Sequence, residues 1–248
     1  MANDSLSHPT ALVTGAARRI GRSIALALAD AGYNIAVHYG WSRGEAEALV
    51  AEIGAKGRRA VAVHADLADA GSVAHLIPEV MNALAAPTCL VNNASEFECD
   101  SIATLTLQSW ARHLDINLKA PVFLAQALAL NLPGRAQGNV INIIDQRVLR
   151  PTPEFFSYTV SKAGLWTATQ TLAQALAPRV RVNAIGPGPT LRSVHQSAAD
   201  FAQEQASTLL GRGSSPDEIA AAVRFILDAP AMTGQMIALD SGQHLAWR

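Results

Sequence analysis

Aromatic residues make up only 5% of the 248 residues, cysteines number two, and the formal net charge is −1. Each shortage excludes something. With no basic excess and no Lys/Arg-rich run, the chain lacks the electrostatic footprint of a nucleic-acid binder. Cys89 and Cys99 form neither a disulfide framework nor a thiolate cluster, and no H-x-x-x-H pairing occurs among the seven histidines, so a metal site has no support. No apolar run reaches membrane-spanning length. Met1 to Thr10 is polar, without the apolar core of a signal peptide. The expectation is a cytoplasmic protein with a small-molecule substrate and neither nucleic acid nor membrane as partner.

What is present is hydrophobic material, half of all residues, in a regular alternation. Short β-branched runs fall at 10–14, 34–38, 59–64, 88–92, 139–144, 180–185 and 236–239. Helical patterns fall between them at 18–31, 45–56, 72–85, 110–130 and 155–177. Gly32 sits where a helix C-cap is expected. Pro78 and Pro121 interrupt two of the helical patterns. Strands apolar on both faces, separated by helices, predict an α/β fold: one Rossmann-like domain over 1–248, a doubly wound parallel sheet with helices on both faces. Gly186-Pro-Gly-Pro189 reads as a loop. The polar stretch after it, about 190–215, reads either as a substrate lid or as a surface excursion.

Three segments carry chemistry. Thr14-Gly-Ala-Ala-Arg-Arg-Ile-Gly21 follows the first strand and opens the first helix, where glycines let backbone approach a pyrophosphate and helix N–H groups hold it. The second strand ends in Val37-His-Tyr-Gly-Trp-Ser-Arg43, with no carboxylate before Glu45. A ribose 2′-hydroxyl calls for an acid there; a 2′-phosphate calls for cations and hydroxyls. Arg18, Ser42 and Arg43 are the candidates, so NADP(H) is the expected cofactor. Trp41 reads as a surface aromatic, with stacking on the adenine edge as the alternative. Third, Tyr158-Thr-Val-Ser-Lys162 places a phenol and an ammonium one helical turn apart. A phenol of pKa ~10 becomes a more useful acid when a neighbouring cation lowers that value.

Together these segments resemble the short-chain dehydrogenase/reductase family, and within it the pteridine reductases, over nearly the whole chain. Thr14, Gly15 and Gly21 match the family's T-G-x-x-x-G-x-G. Arg19 replaces the middle glycine, as in the pteridine-reductase version. Asn92-Asn93-Ala94-Ser95 is similar to N-N-A-G, and Asp66-Leu67 to the pair that borders the adenine. Pro187-Gly188 with Thr190 resembles the loop beside the nicotinamide; 232–235 and 240–242 resemble the last strand's flanks. The resemblance implies cofactor contacts at Gly15, Arg18, Arg19, Ile20, Gly21, His38, Tyr39, Ser42, Arg43, Asp66, Leu67, Asn93, Ala94, Lys162, Pro187, Gly188 and Thr190. It implies catalysis by Tyr158, Lys162, Asp145 and Asn117, whose carbonyl would hold a water beside the lysine. Arg19 would steady the pyrophosphate or face the substrate.

Asp145 stands thirteen residues before Tyr158, where the family's serine is expected. An ionised carboxylate only accepts hydrogen bonds and would repel a developing alkoxide. It suits a nitrogen heterocycle, either by accepting its N–H groups or by carrying a proton to a ring nitrogen. The plainer role is a cap bonding local backbone N–H groups. Phe97 matches the aromatic that stacks the pterin in pteridine reductases, and Ser95 would hydrogen-bond the substrate. The implied activity is NADPH-dependent reduction of a pterin-type heterocycle by a homotetramer. The alternatives are a 3-oxoacyl or small-carbonyl reductase and a non-catalytic NADP(H)-binding protein.

Overall fold

The computed structural model describes residues 8–194 and 196–246; the first seven residues of the polar N-terminus and position 195 of the expected loop lie outside them. Seven strands form one sheet: β1 (Thr10–Val13), β2 (Asn34–Tyr39), β3 (Ala60–His64), β4 (Cys89–Asn92), β5 (Gly138–Ile143), β6 (Val180–Pro187) and β7 (Met236–Leu239). Their order is β3-β2-β1-β4-β5-β6-β7, and every pairing is parallel. The sheet is the expected Rossmann-like one.

Side chains along a strand alternate between its two faces, and the sheet has a core on each. Ala11 and Val13 pack on one face with Ile24 and Leu28 of α1 (Arg19–Asp30), Leu49 of α2 (Arg43–Ala55) and Val223 of α8 (Pro216–Asp228). Leu12 points the other way, with Leu76 of α3 (Ala70–Ala83), Leu124 of α5 (Ala120–Asn131) and Ala173 of α6 (Phe156–Leu176). Burial on both sides explains why β1 and β4 read as unbroken apolar runs.

The long helix expected over 110–130 is three pieces: α4 (Leu107–Leu114), a wide π-turn over Asp115–Lys119, and α5. Pro121 is the reason. It has no N–H to return to the Asn117 carbonyl four residues back, so regular α-helical bonding cannot pass through that point. Pro78, by contrast, is accommodated inside α3, whose start is capped by Asp69 accepting from Ser72 N–H at 2.6 Å. β6 runs two residues past the expected end, because Gly186 and Pro187 pair with Ala238 and Leu239. The polar stretch after it contains α7 (Ala198–Ala206), opened by a Ser197–Asp200 capping box. No helix among the described residues is long and apolar enough to cross a membrane.

Candidate active site

A cavity of about 980 Å³ runs along the carboxyl ends of the strands. In such sheets ligands bind where the strand order reverses, here between β1 and β4. The turn after β1 is clasped to the turn after β4. Thr14 Oγ1 accepts from Asn93 N–H at 2.9 Å and Ala94 N–H at 3.0 Å, while Asn93 Nδ2 donates to the carbonyls of Thr14 (2.9 Å) and Gly15 (3.1 Å). Gly15 sits at φ +61°, and a Cβ on Gly21 would lie 2.3 Å from the Gly15 oxygen. These glycines leave a bare backbone cradle at the start of α1, which fits a pyrophosphate.

The residues at that end divide. Gly15, Arg18, Arg19, Ile20, Gly21, Tyr39, Ser42, Asp66, Leu67, Asn93 and Ala94 all line the cavity. Arg19 occupies the glycine position of the motif at φ +55°, a left-handed conformation that costs a non-glycine residue roughly 1–2 kcal/mol. Its guanidinium donates to the carbonyls of Leu191 and Arg192, both at 3.0 Å. It ties the turn to the loop after β6 while lining the cavity. His38 lines the cavity as well, with its ring turned toward the glycine turn. It is 2% exposed; Nδ1 accepts from Gly15 N–H at 3.0 Å and Nε2 lies 3.1 Å from the Ala65 carbonyl. Burial lowers its pKa to about 4, the Ala65 bond opposing. A neutral ring, protonated on Nε2, therefore braces the glycine turn from beneath.

Arg43 was expected at the 2′-phosphate, but its Nε pairs with Glu47 Oε1 at 2.8 Å, one turn along α2, and it does not line the cavity. That i, i+4 pairing turns it away. Arg18 is held only at 3.8 Å from Glu45, and Ser42, the N-cap of α2, makes no side-chain cap bond. Trp41 is 83% exposed at the rim. Pro187, Gly188 and Thr190 line the far wall; a Cβ on Gly188 would lie 2.7 Å from Asp240 Cα. The Thr190 hydroxyl lies 2.7 Å from that of Ser214.

At the other end Asp145 follows β5, with one oxygen on the local backbone cap and the other on Tyr158. Oδ1 accepts from Arg147 N–H at 2.8 Å, capping the short turn Gln146–Val148; Oδ2 accepts from the Tyr158 hydroxyl at 2.7 Å. Burial raises the pKa of Asp145, against the pull of the Arg147 N–H and cation, the Tyr158 hydroxyl and Lys162. Burial and the adjoining carboxylate hold Tyr158 well above an ordinary phenol. Lys162 does not lower it as expected. The ammonium, 2% exposed, donates to the Ile143 carbonyl at 3.0 Å and stands 5.7 Å from the Tyr158 ring centre. Burial depresses its own pKa to about 8, with Asp145 opposing. The arrangement keeps a protonated phenol shared with a carboxylate.

Asn117, in the π-turn, bonds main chain and α6 together. Its Nδ2 donates to Ser161 Oγ and the Glu96 carbonyl, both at 3.0 Å, and its Oδ1 accepts from Glu96 N–H at 2.8 Å. Ser95 directs its hydroxyl to Asn117 Oδ1 at 3.2 Å. Phe97 stacks on Phe155 (4.5 Å, 10°) and meets Tyr158 edge-on (4.7 Å, 82°). The Arg147 guanidinium lies over the Phe155 ring, 4.9 Å from its centre.

A sequence profile described as short chain dehydrogenase matches residues 9–204. The chain belongs to the short-chain dehydrogenase family. Among curated relatives, the 3-oxoacyl-[acyl-carrier-protein] reductase FabG of Staphylococcus aureus is 36% identical over 241 residues, spanning 95% of this chain and 98% of its own. Among solved structures, FolM alternative dihydrofolate reductase 1 from Brucella suis, in complex with NADP, is 47% identical. It superposes with a TM-score of 0.94 over 98% of this chain and 97% of its own. A short chain dehydrogenase from Burkholderia cenocepacia, also with NADP, gives 34% and 0.89 over 97% and 99%.

Several groups in this dehydrogenase's cavity were not anticipated from sequence: Arg147, Phe155 and the Arg112–Glu96 pair (3.0 Å). Phe155, inside the helical pattern of 155–177, precedes α6 in a left-handed conformation, φ +53°. The one available signal was a Phe-Phe pair in an aromatic-poor chain.

Arg18→Ala should weaken NADPH binding about tenfold, the loss of a charged hydrogen bond, while leaving NADH unchanged, and Arg43→Ala should change neither; fluorescence titration decides, and equal losses would refute the assignment. Asp145 has a raised folded-state pKa, so its contribution to stability is present below the unfolded value and is lost as pH rises through the folded one. Asp145→Asn should therefore raise Tm at pH 8, with the gain shrinking as pH falls toward 4.

Proposed function

We propose that this chain is an NADPH-dependent reductase of a pterin-type heterocycle such as dihydrobiopterin, dihydromonapterin or dihydrofolate. The observation that carries this reading is the 2.7 Å bond from the Tyr158 hydroxyl to a carboxylate, in the position where a carbonyl reductase of the family presents a hydroxyl. The FolM structures, 47% and 45% identical and solved with NADP, support it.

NADPH, when bound, supplies hydride to a ring carbon of a C=N bond. The protein supplies the rest. Tyr158, kept as neutral phenol, gives its proton to the ring nitrogen and is reprotonated along Asp145 or Lys162. Asp145 accepts N–H groups of an amino-substituted ring, which fixes its orientation. Phe97 offers a flat face. Lys162 and the glycine cradle hold the cofactor, with Arg18, Ser42 and the start of α2 toward its 2′-phosphate. Asn117 supports the site by fixing the Ser95–Glu96 backbone, its carbonyl being the candidate for a relay water.

The second reading, 3-oxoacyl reduction, is favoured by the FabG relatives. Against it stands Asp145, which when ionised has no proton to give a ketone oxygen. We also propose a homotetramer. The family resemblance is what supports it, and Leu107, Phe123, Leu130, Phe225 and Leu245 are among the exposed apolar side chains that subunit contacts would cover; a solution mass below that of four 26.1 kDa chains would refute it.

Tyr158→Phe should lower turnover by about 10²- to 10⁴-fold with NADPH binding intact. Asp145→Ser should abolish reduction of dihydropterins in assays run beside an acetoacetyl thioester. Turnover of the thioester alone by the unaltered enzyme would overturn the pterin reading; full pterin activity of Asp145→Ser would leave Asp145 only its capping role.

A further inference from the structure

Behind Tyr158 lies a buried acid, imidazole and hydroxyl that the chemistry above does not use. Asp100, His113 and Ser157 are 4%, 1% and 0% exposed. The Ser157 hydroxyl donates to Asp100 Oδ2, and Ser157 N–H donates to Asp100 Oδ1 at 3.0 Å. His113 Nδ1 lies 2.7 Å from Ser157 Oγ and 3.0 Å from the Ser109 carbonyl; His113 Nε2 accepts from Glu98 N–H at 3.1 Å. The Glu98 bond fixes the tautomer. Nε2 carries the lone pair, so the ring proton is on Nδ1 and points at Ser157 and Ser109. This is no hydrolytic triad: the serine is sealed, the acid bonds the serine rather than the imidazole, and the imidazole's basic nitrogen is occupied.

The network joins the two walls of the substrate site. One is the loop after β4, which carries Phe97 between Glu96, held by Asn117, and Glu98, held by His113. The other is the start of α6, which carries Phe155 and Tyr158. Phe155, the N-cap residue, makes no side-chain cap bond. Asp100, 57 residues before Ser157, takes over that function, accepting from Ser157 N–H with its carboxylate and from Phe156 N–H with its carbonyl at 3.2 Å. Burial pushes the Asp100 carboxyl up, but the Ser157 hydroxyl and amide prevail and hold it below the usual range, as suits an anion at a helix N-terminus.

We propose that His113 and Asp100 are positioning residues that hold the Phe97 loop against the start of α6, and so set where Phe97 stands relative to Tyr158 and the substrate ring. This rests on the reading of Phe97 as the substrate wall. Two substitutions separate the arms of His113. His113→Gln reaches the Nε2 position and keeps an acceptor for Glu98 N–H. His113→Asn reaches only the Nδ1 position and keeps the donor toward Ser157.

The test compares these variants in the full-length protein. His113→Asn should raise the substrate KM about 3- to 10-fold, the loss of one neutral hydrogen bond, with kcat falling less and NADPH affinity unchanged. His113→Gln should restore KM. In a Phe97→Ala background His113→Asn should add nothing. Kinetics are run with dihydrobiopterin, or with acetoacetyl-CoA if that is what the enzyme reduces. Amide exchange at 96–99 should rise in His113→Asn and not in His113→Gln, whichever substrate is turned over, so failure of the pterin reading stays distinguishable. Equal behaviour of the two variants, additivity with Phe97→Ala, or loss of NADPH binding in His113→Asn would overturn the proposal.

Discussion

The clasp between the turns after β1 and β4 is the constraint on which the site depends. Parallel neighbours at the reversal of strand order send their chains to opposite sides, which opens a crevice. Thr14 and Asn93 close its floor with four hydrogen bonds at 2.9 to 3.1 Å. Buried turns leave polar backbone that must be satisfied, and here each turn satisfies the other. His38 adds a prop from β2 by accepting the Gly15 N–H. The cofactor cradle is thus assembled from three strands far apart in sequence, and its shape follows from the sheet before any ligand arrives.

The end of the cavity at Asp145 and Tyr158 rests on a different balance. Removing water from Asp145, Tyr158 and Lys162 disfavours the charged form of each. The acid and phenol are pushed up and the ammonium is pushed down to about 8. Lys162 spends its contact on the Ile143 carbonyl, and Arg147 is the cation whose field pulls both Asp145 and Tyr158 down. A hydroxyl in place of Asp145 would take part in this balance only as a dipole; the carboxylate takes part as a charge, and the phenol's proton is held more tightly for it.

The fold was legible because it is written in local patterns: apolar runs, helical periods and the glycines between them. The candidate site residues Tyr158, Lys162, Asp145 and Phe97, expected from the sequence, line one cavity. What sequence could not supply was direction. Arg43 meets Glu47 on its own helix, His38 turns inward to the glycine turn, and Arg19 reaches 173 residues ahead. A long side chain chooses among partners by distance in the fold, which spacing along the chain does not encode. The network of Asp100, His113 and Ser157 was invisible for the same reason. Pro121 was visible as a disturbance, but not that the chain passes through a wide π-turn at Asn117 and resumes as α5.

Arg19 brings two of these themes together. A left-handed arginine is locally unfavourable, yet it is the side chain at that position that fastens the turn to the carbonyls of Leu191 and Arg192. Glycine, the more usual residue there in the family, would relax the backbone and cut the fastening in one step. Drift between the two residues is therefore not neutral in either direction: one gains ease of the turn, the other gains an ordered roof. With glycine at this position the loop after β6 would lose the anchor that now holds its Leu191 and Arg192 carbonyls to the turn after β1.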